Sequence, residues 1–254
     1  SAQLIRHLVF AVDGIAEVGS LGHLVLRESG DSLSDVFEEA VIEADFLAKM
    51  QDEDGGFFFL VYPKERKYEE DVLPHEGDAQ VVWPKNTSAT AAAVGALADL
   101  ASSPLFQEQF PERATLYLAK AQAGWDFLLN AIQEHGKDGS YQKITHYGNE
   151  FLHDDELAWA AAAMFAATGE ASCQEKLIEW YDPEAEETFR WGWFSLFEGY
   201  GCAARSYAFA VRSGKRQATE MDQAYLAKMD SVLIEAGNRI RIRCDRKSTR
   251  LNSS

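Results

Sequence analysis

Eight helical stretches follow one another along this chain, and they alternate between nearly uncharged and heavily charged. Apolar spacing and capping signals place them near 2–18, 34–52, 87–101, 112–134, 155–168, 171–181, 199–212 and 218–236. The odd-numbered ones carry only Arg6, Asp13 and Glu17, then Asp99, then Asp155 and Glu156 at the start of the fifth, then Arg205 and Arg212. The second alone holds Asp35, Glu38, Glu39, Glu43, Asp45, Lys49 and Asp52, and the fourth, sixth and eighth are similarly charged. A helix apolar on nearly all sides must be buried on all sides, whereas one with a charged face lies at the surface. Alanine, glycine and serine dominate the buried set, which lets backbones approach closely in an inner layer. Antiparallel helices that alternate inner and outer build an α/α toroid, two concentric rings of hairpins. We therefore expect an all-α fold with about four such hairpins and no strand. A flat solenoid would show a fixed sequence period, and none is seen. An arc of four hairpins would leave apolar faces of the first and seventh helices unburied, a liability for solubility.

Loop lengths single out one end of this arrangement. Connections from an outer helix to the next inner one cover about 53–86, 135–154 and 182–198, while the reverse connections are short. Because successive helices run in opposite directions, all the long loops emerge together, and long loops in a compact domain are usually functional. They carry His75, Trp83, His146, Tyr147, His153, Trp191 and Trp193. An end lined with such aromatics suits flat, partly apolar ligands such as sugar rings; the competing reading is that the tryptophans plug the loops onto the core.

Composition removes several function classes. The 254 residues carry a net charge of −17, with pI near 4.7 and mean hydropathy −0.27, which opposes a nucleic-acid partner because phosphate binding needs a Lys/Arg surface. No apolar run reaches the roughly 18 residues of a membrane-spanning helix. Cys173, Cys202 and Cys244 match neither a disulfide framework nor a zinc pattern and read as buried thiols. The segment 237–254 holds six of the 24 Lys and Arg but one of the 41 Asp and Glu. It reads either as a basic tail that meets a partner or, in our preferred reading, as translated adapter sequence outside the fold, since RKSTRLNSS has that character. The folded domain is then expected over 1–236, opening inside a helical pattern and so truncated at its start.

Three segments together resemble a known family: HYGNEFLHDDELAWAAAAMFAATGE (146–170), NTSATAAAVGALADLAS (86–102) and FEEAVIEADFLAKMQDEDGGF (37–57). They resemble the catalytic domain of family-nine glycoside hydrolases, the cellulase family, over 1 to about 236. The resemblance implies a six-hairpin toroid, present here in part, that hydrolyses β-1,4-glucan with inversion. Inversion needs a carboxylic acid for the leaving oxygen and a carboxylate base for water, roughly 6.5–9.5 Å apart. In the family the base lies in an Asp-Ala-Gly-Asp type motif and the acid is a Glu from the C-terminal part of the domain. Neither motif occurs in these 254 residues, so no catalytic residue is assigned and this stretch alone is expected to be inactive.

Substrate contacts are what the resemblance leaves. Tyr147 matches a sugar-contacting tyrosine, Trp191 or Trp193 an aromatic platform, and His75 lies in a loop that walls the cleft; His146 adjoins Tyr147, and Trp83 completes the set. Glu150 stands where some members have a tryptophan. Both histidines are more readily structural hydrogen-bonders than ligand contacts. Asp154, Asp155 and Glu156 open a helix, where carboxylates cap free N–H groups. Asp52, Glu53 and Asp54 before Gly55 and Gly56 form a helix exit and turn. His146 and His153 with these acids fit no standard ligand spacing; no metal and no cofactor is assigned, although relatives often carry structural calcium. The partner expected is a β-glucan oligosaccharide or polysaccharide, and the family implies secretion. Two other readings stand beside the hydrolase: a noncatalytic carbohydrate-binding scaffold, and another toroid enzyme such as an epimerase, lyase or β-glucosaminidase-like hydrolase. The sequence leaves the oligomeric state open.

Overall fold

The computed structural model describes residues 1–24, 26, 29–64, 79–137, 153–189 and 199–251, the side chains of 187, 189, 240 and 242–251 excepted. Ten α-helices occur among them: α1 (Ala2–Gly14), α2 (Ala16–Gly19), α3 (Asp35–Lys49), α4 (Thr87–Ala101), α5 (Pro104–Gln109), α6 (Pro111–His135), α7 (Asp154–Thr168), α8 (Ala171–Trp180), α9 (Gly199–Ala208) and α10 (Gln223–Leu251). The predicted alternation of layers is present. The inner row runs α1, α4, α7, α9, each packed on the next or bridged to it by side chains. Outside it, α3 lies on α1 and α4, α6 on α4 and α7, α8 on α7, and α10 on α9.

Burial follows the charge pattern. Thirteen of the fifteen residues of α4 are buried, as are all ten of α9, whereas α6 buries only a stripe of Ala114, Tyr117, Ala121, Gly124, Trp125 and Leu128. That stripe advances by three or four residues at a time, one face of a 3.6-residue helix. Helix α4 starts where the Asn86 side chain accepts the Ala89 N–H at 2.7 Å, an N-cap that typically contributes about 1 kcal/mol. The inner helices come so close that Gly95 leaves no room for a methyl group: a Cβ there would sit 2.6 Å from the ring of Trp159. Because Trp159 is itself fully buried, Gly95→Ala is expected to destabilise the fold by about 1–3 kcal/mol through overpacking, readable as a lower urea midpoint. An unchanged midpoint would mean that α4 and α7 can separate freely.

A buried carboxylate ties the inner row together. Asp99 of α4 is 1% exposed. It stands 2.9 Å from Arg6 Nε of α1, accepts the indole N–H of Trp159 of α7 at 2.8 Å and accepts the Ser206 hydroxyl of α9 at 2.9 Å. Beside it Lys215 pairs with Asp13 at 2.8 Å and donates to the Asp99 carbonyl at 3.2 Å. Three of the few charges on the charge-poor helices, Arg6, Asp13 and Asp99, thus gather with Lys215 in one buried network, as buried charges require partners.

Several expectations need correction. The first helix does not run unbroken to residue 18: Gly14 ends it, Ile15 is extended, and Leu4 and Ile15 are exposed. The 53–86 connection holds a small antiparallel sheet where no strand was expected, β1 (Val61–Pro63) and β2 (Gln80–Val82), with Val61 opposite Val82. Helix α5 is an addition, started by a proline at its first position, where the missing N–H costs nothing. The seventh helix does not leave its apolar face open, since α9 is buried throughout and Phe209 just beyond it packs edge-on against Phe10 of α1 at 5.0 Å. Helix α10 continues through the basic segment to Leu251.

Candidate functional site

The N-terminal ends of α1, α4 and α7 meet around a cavity of about 550 Å³, within the size range of small-ligand sites. Ser1, Ser88 and Glu156 supply its polar edge, and Phe46, Leu47 and the 57–61 stretch its apolar wall. Ala89 and Ala92, the two residues of α4 that are not buried, face the same space.

The apolar wall is held by a turn at the exit of α3. Gly55 takes φ +92°, a conformation open to glycine at little cost, and its N–H donates to the Asp52 carbonyl at 3.1 Å. The Gly56 N–H donates to Asp54 Oδ1 at 3.0 Å. Gln51 Nε2 donates to the carbonyls of Gly55 and Lys120 at 3.0 and 2.8 Å, which pins the turn to α6. Next, the Phe57 N–H donates to Thr90 Oγ1 at 2.9 Å, and the Phe58 N–H to the Met50 carbonyl at 2.9 Å. From the opposite side Lys85 Nζ reaches Asp52 at 2.5 Å and Asp54 at 2.6 Å. Its bonds to Asp52 and Asp54 hold the Lys85 ammonium above its ordinary range. The turn read from the sequence is present, and the lysine that locks it was not anticipated.

Each residue of the acidic cluster has a separate task. Asp154 pairs with Lys137 at 3.0 Å. Asp155 Oδ2 accepts the Gly199 N–H at 2.9 Å, so it caps α9, the neighbouring inner helix, rather than its own. Glu156 forms part of the cavity wall. Burial, reinforced by the neighbouring Asp155 carboxylate, pushes the Glu156 carboxyl well above the usual carboxylate range. A carboxyl held neutral in an apolar wall can donate a hydrogen bond, as a carboxylate cannot. Among the described residues no group of three or more His, Cys, Asp or Glu side chains is placed to hold a metal ion.

The raised pKa of Glu156 sets a sign. Neutral Glu156 is the form the fold favours, so its contribution is complete below the unfolded value of about 4.3 and is lost as pH rises through the higher folded value. Glu156→Gln is therefore expected to melt with wild type near pH 4 and above it at pH 8, measured in chelator-containing buffer. A difference that stays constant with pH would contradict this.

Of the six residues singled out as sugar contacts, only Trp83 lies among those described. Its N–H donates to the Leu60 carbonyl at 2.9 Å, and its half-buried ring meets Tyr62 edge-on at 6.2 Å. It therefore lies just past β2, beside the small sheet that follows the 57–61 wall. His75, His146, Tyr147, Trp191 and Trp193 lie outside the described residues. Phe46, the 57–61 wall and Ser88 were not singled out from the sequence, and Glu156 was read only as a helix-capping acid. The run FFFLVY (57–62) was the available signal, a short apolar stretch of the kind that forms a buried strand.

No described helix is long and apolar enough to cross a membrane. The fold matches solved structures at TM-scores near two thirds. A metagenome-derived glycoside hydrolase family 9 endoglucanase is 23% identical with TM-score 0.66, covering 92% of this chain and 40% of that one. A Bacteroides ovatus family 9 protein is 17% identical with TM-score 0.66, covering 94% and 43%. The structure of AaCel9A in complex with cellobiose-like isofagomine is 21% identical with TM-score 0.66, covering 92% and 42%. The chain thus spans about two fifths of the length of these structures. No curated protein sequence matches it. The family model for glycosyl hydrolase family 9 matches residues 10–247, nearly the whole chain, and the protein belongs to that family.

Proposed function

We propose that this chain is the sugar-facing arc of a β-1,4-glucan hydrolase, and that the cavity at the N-terminal ends of its inner helices lies on the path of the glucan chain. The observation that carries the reading is the meeting of three inner-helix ends around an apolar cavity edged by Ser1, Ser88 and Glu156, in a chain matched by the family 9 model over 10–247. Apolar walls with a few convergent polar groups suit a pyranose, whose faces are apolar and whose rim is hydroxylated. On this reading Tyr147, Trp191, Trp193, His146, His75 and Trp83 contact sugar. The Glu156 carboxyl donates a hydrogen bond from the cavity wall.

The chemistry proposed is inversion at the anomeric carbon, with an acid protonating the leaving oxygen while a carboxylate activates water on the opposite face. Neither carboxylate is assigned to these 254 residues, so the chain binds and orients glucan without cleaving it. Secretion follows from a polymeric substrate. Incubated with soluble β-glucan, the chain is expected to release no reducing ends, while a domain that joins it to an Asp-Ala-Gly-Asp motif and a C-terminal Glu is expected to release the α-anomer, read by proton NMR. Reducing ends from the chain alone, or β-anomer from the joined domain, would overturn the assignment.

A further inference from the structure

A second cavity, of about 140 Å³, lies toward the other end of α1, between that helix, α9 and the turn that follows α9. Four of its lining residues, Arg6, Arg205, Arg212 and Lys215, are cationic, against one carboxylate, Asp13. This concentration of positive charge stands in a chain of net charge −17. The guanidiniums are arrayed around an aromatic pair. Arg6 Cζ lies 4.7 Å and Arg205 Cζ 5.6 Å from the centroid of Phe10, Arg212 Cζ lies 5.1 Å from that of Phe209, and the two rings meet edge-on at 5.0 Å.

Arg6 and Arg205 are 3% and 7% exposed. Two buried like charges flanking the half-buried Phe10 ring repel each other more strongly than they would in water. Asp99, behind Arg6, and Asp13, beside Lys215, offset part of this charge. Burial and the nearby Arg6 charge both lower the Arg205 guanidinium from its ordinary value, the response expected where a further anion would be welcome. Guanidinium groups present planar forks of donors that match oxyanions bidentately, and Ser206 and Ser213 add hydroxyls to the lining.

We propose that this cavity binds a small tetrahedral oxyanion, inorganic phosphate or sulfate, between the guanidiniums of Arg6, Arg205 and Arg212. The ion links α1 to the end of α9, the two inner helices farthest apart in sequence. The proposal is independent of the glucan reading, since it draws on none of the residues of the first cavity.

The test is a phosphate titration of the 254-residue chain at pH 7.5, with total ionic strength held constant by sodium chloride so that screening does not change, read by calorimetry and by melting temperature. Saturable binding is expected, with a melting temperature that rises with phosphate concentration. Arg212→Gln, a change at an exposed position, is expected to weaken phosphate binding by about tenfold or more, the scale of one charge-assisted contact. Lys49→Gln, the same loss of charge on α3 at a distance, leaves binding unchanged. Sulfate competes, and phenyl phosphate binds more weakly because the cavity is small. Absence of a saturable phosphate effect, or equal weakening by the two variants, would overturn the site. Binding of phenyl phosphate as tight as that of the free ion would overturn its assignment to an inorganic ion.

Discussion

Asp99→Ala is expected to lower the free energy of unfolding by about 3–5 kcal/mol, the scale for removing one partner of a buried ion pair. The carboxylate meets Arg6, Trp159 and Ser206 from three other inner helices. Its loss leaves the Arg6 charge, 3% exposed, and an indole N–H without their acceptor. Against a typical total of about 5–15 kcal/mol, this is enough to populate unfolded or loosely packed forms at 25 °C. Urea unfolding followed by far-UV circular dichroism measures the loss, and near-UV signal from Trp159 reports the inner packing. Glu179→Ala, which removes a solvent-exposed partner of Lys176, should leave the midpoint almost unmoved. Similar midpoints for the two variants would show that Asp99 does not hold the inner row together.

The second large effect is expected at Gly55. Its backbone sits at φ +92°, and a Cβ built there would lie 2.3 Å from the Ala123 carbonyl oxygen of α6. Gly55→Ala therefore meets two penalties, about 1–2 kcal/mol for a conformation that L residues avoid and about 1–3 kcal/mol for forcing backbone apart. Because that turn leads into the 57–61 wall, the consequence reaches the cavity. Amide exchange at Phe57 and Phe58, whose N–H groups donate to Thr90 and Met50, should speed up more than exchange in α9. Unchanged exchange at these two amides, with an unchanged melting temperature, would mean that the turn can be rebuilt without disturbing the wall.

Much of the fold was legible because one signal, charge on alternate helices, reports burial directly. The eighth helix, read as an outer one, buries only one face, with Met221, Tyr225, Met229, Val232 and Ala236 buried on it or just before it, and the alanine-rich body of α7 is buried as an inner helix should be. Local breaks were not legible in the same way. Ile15 continues the helical spacing of α1, yet it leaves the helix after Gly14, because spacing records which face is apolar and not where the backbone turns. The 57–62 run was assigned to a loop by its position between helices, although aromatic and β-branched residues there match a short strand. The site divides along the same line. Asp154, Asp155 and Glu156 read as helix-capping acids because a single helix was considered. Asp155 in fact caps α9, a contact 44 residues away in sequence, and Glu156 is set apart by burial at the meeting of three helices. Tertiary neighbours decide both roles, and spacing within one helix carries no trace of them. The loop aromatics were legible only through composition and resemblance, and as sugar contacts they remain proposals.

Hydrogen–deuterium exchange of the 254-residue chain with and without cellotetraose tests most directly whether the inner-helix ends form the glucan-facing surface. Protection is expected at 57–61, in the first two turns of α4 and around Glu156, without release of reducing ends. Protection that is absent, or that appears only at 209–215 around the second cavity, would contradict a glucan path at the N-terminal ends of the inner helices.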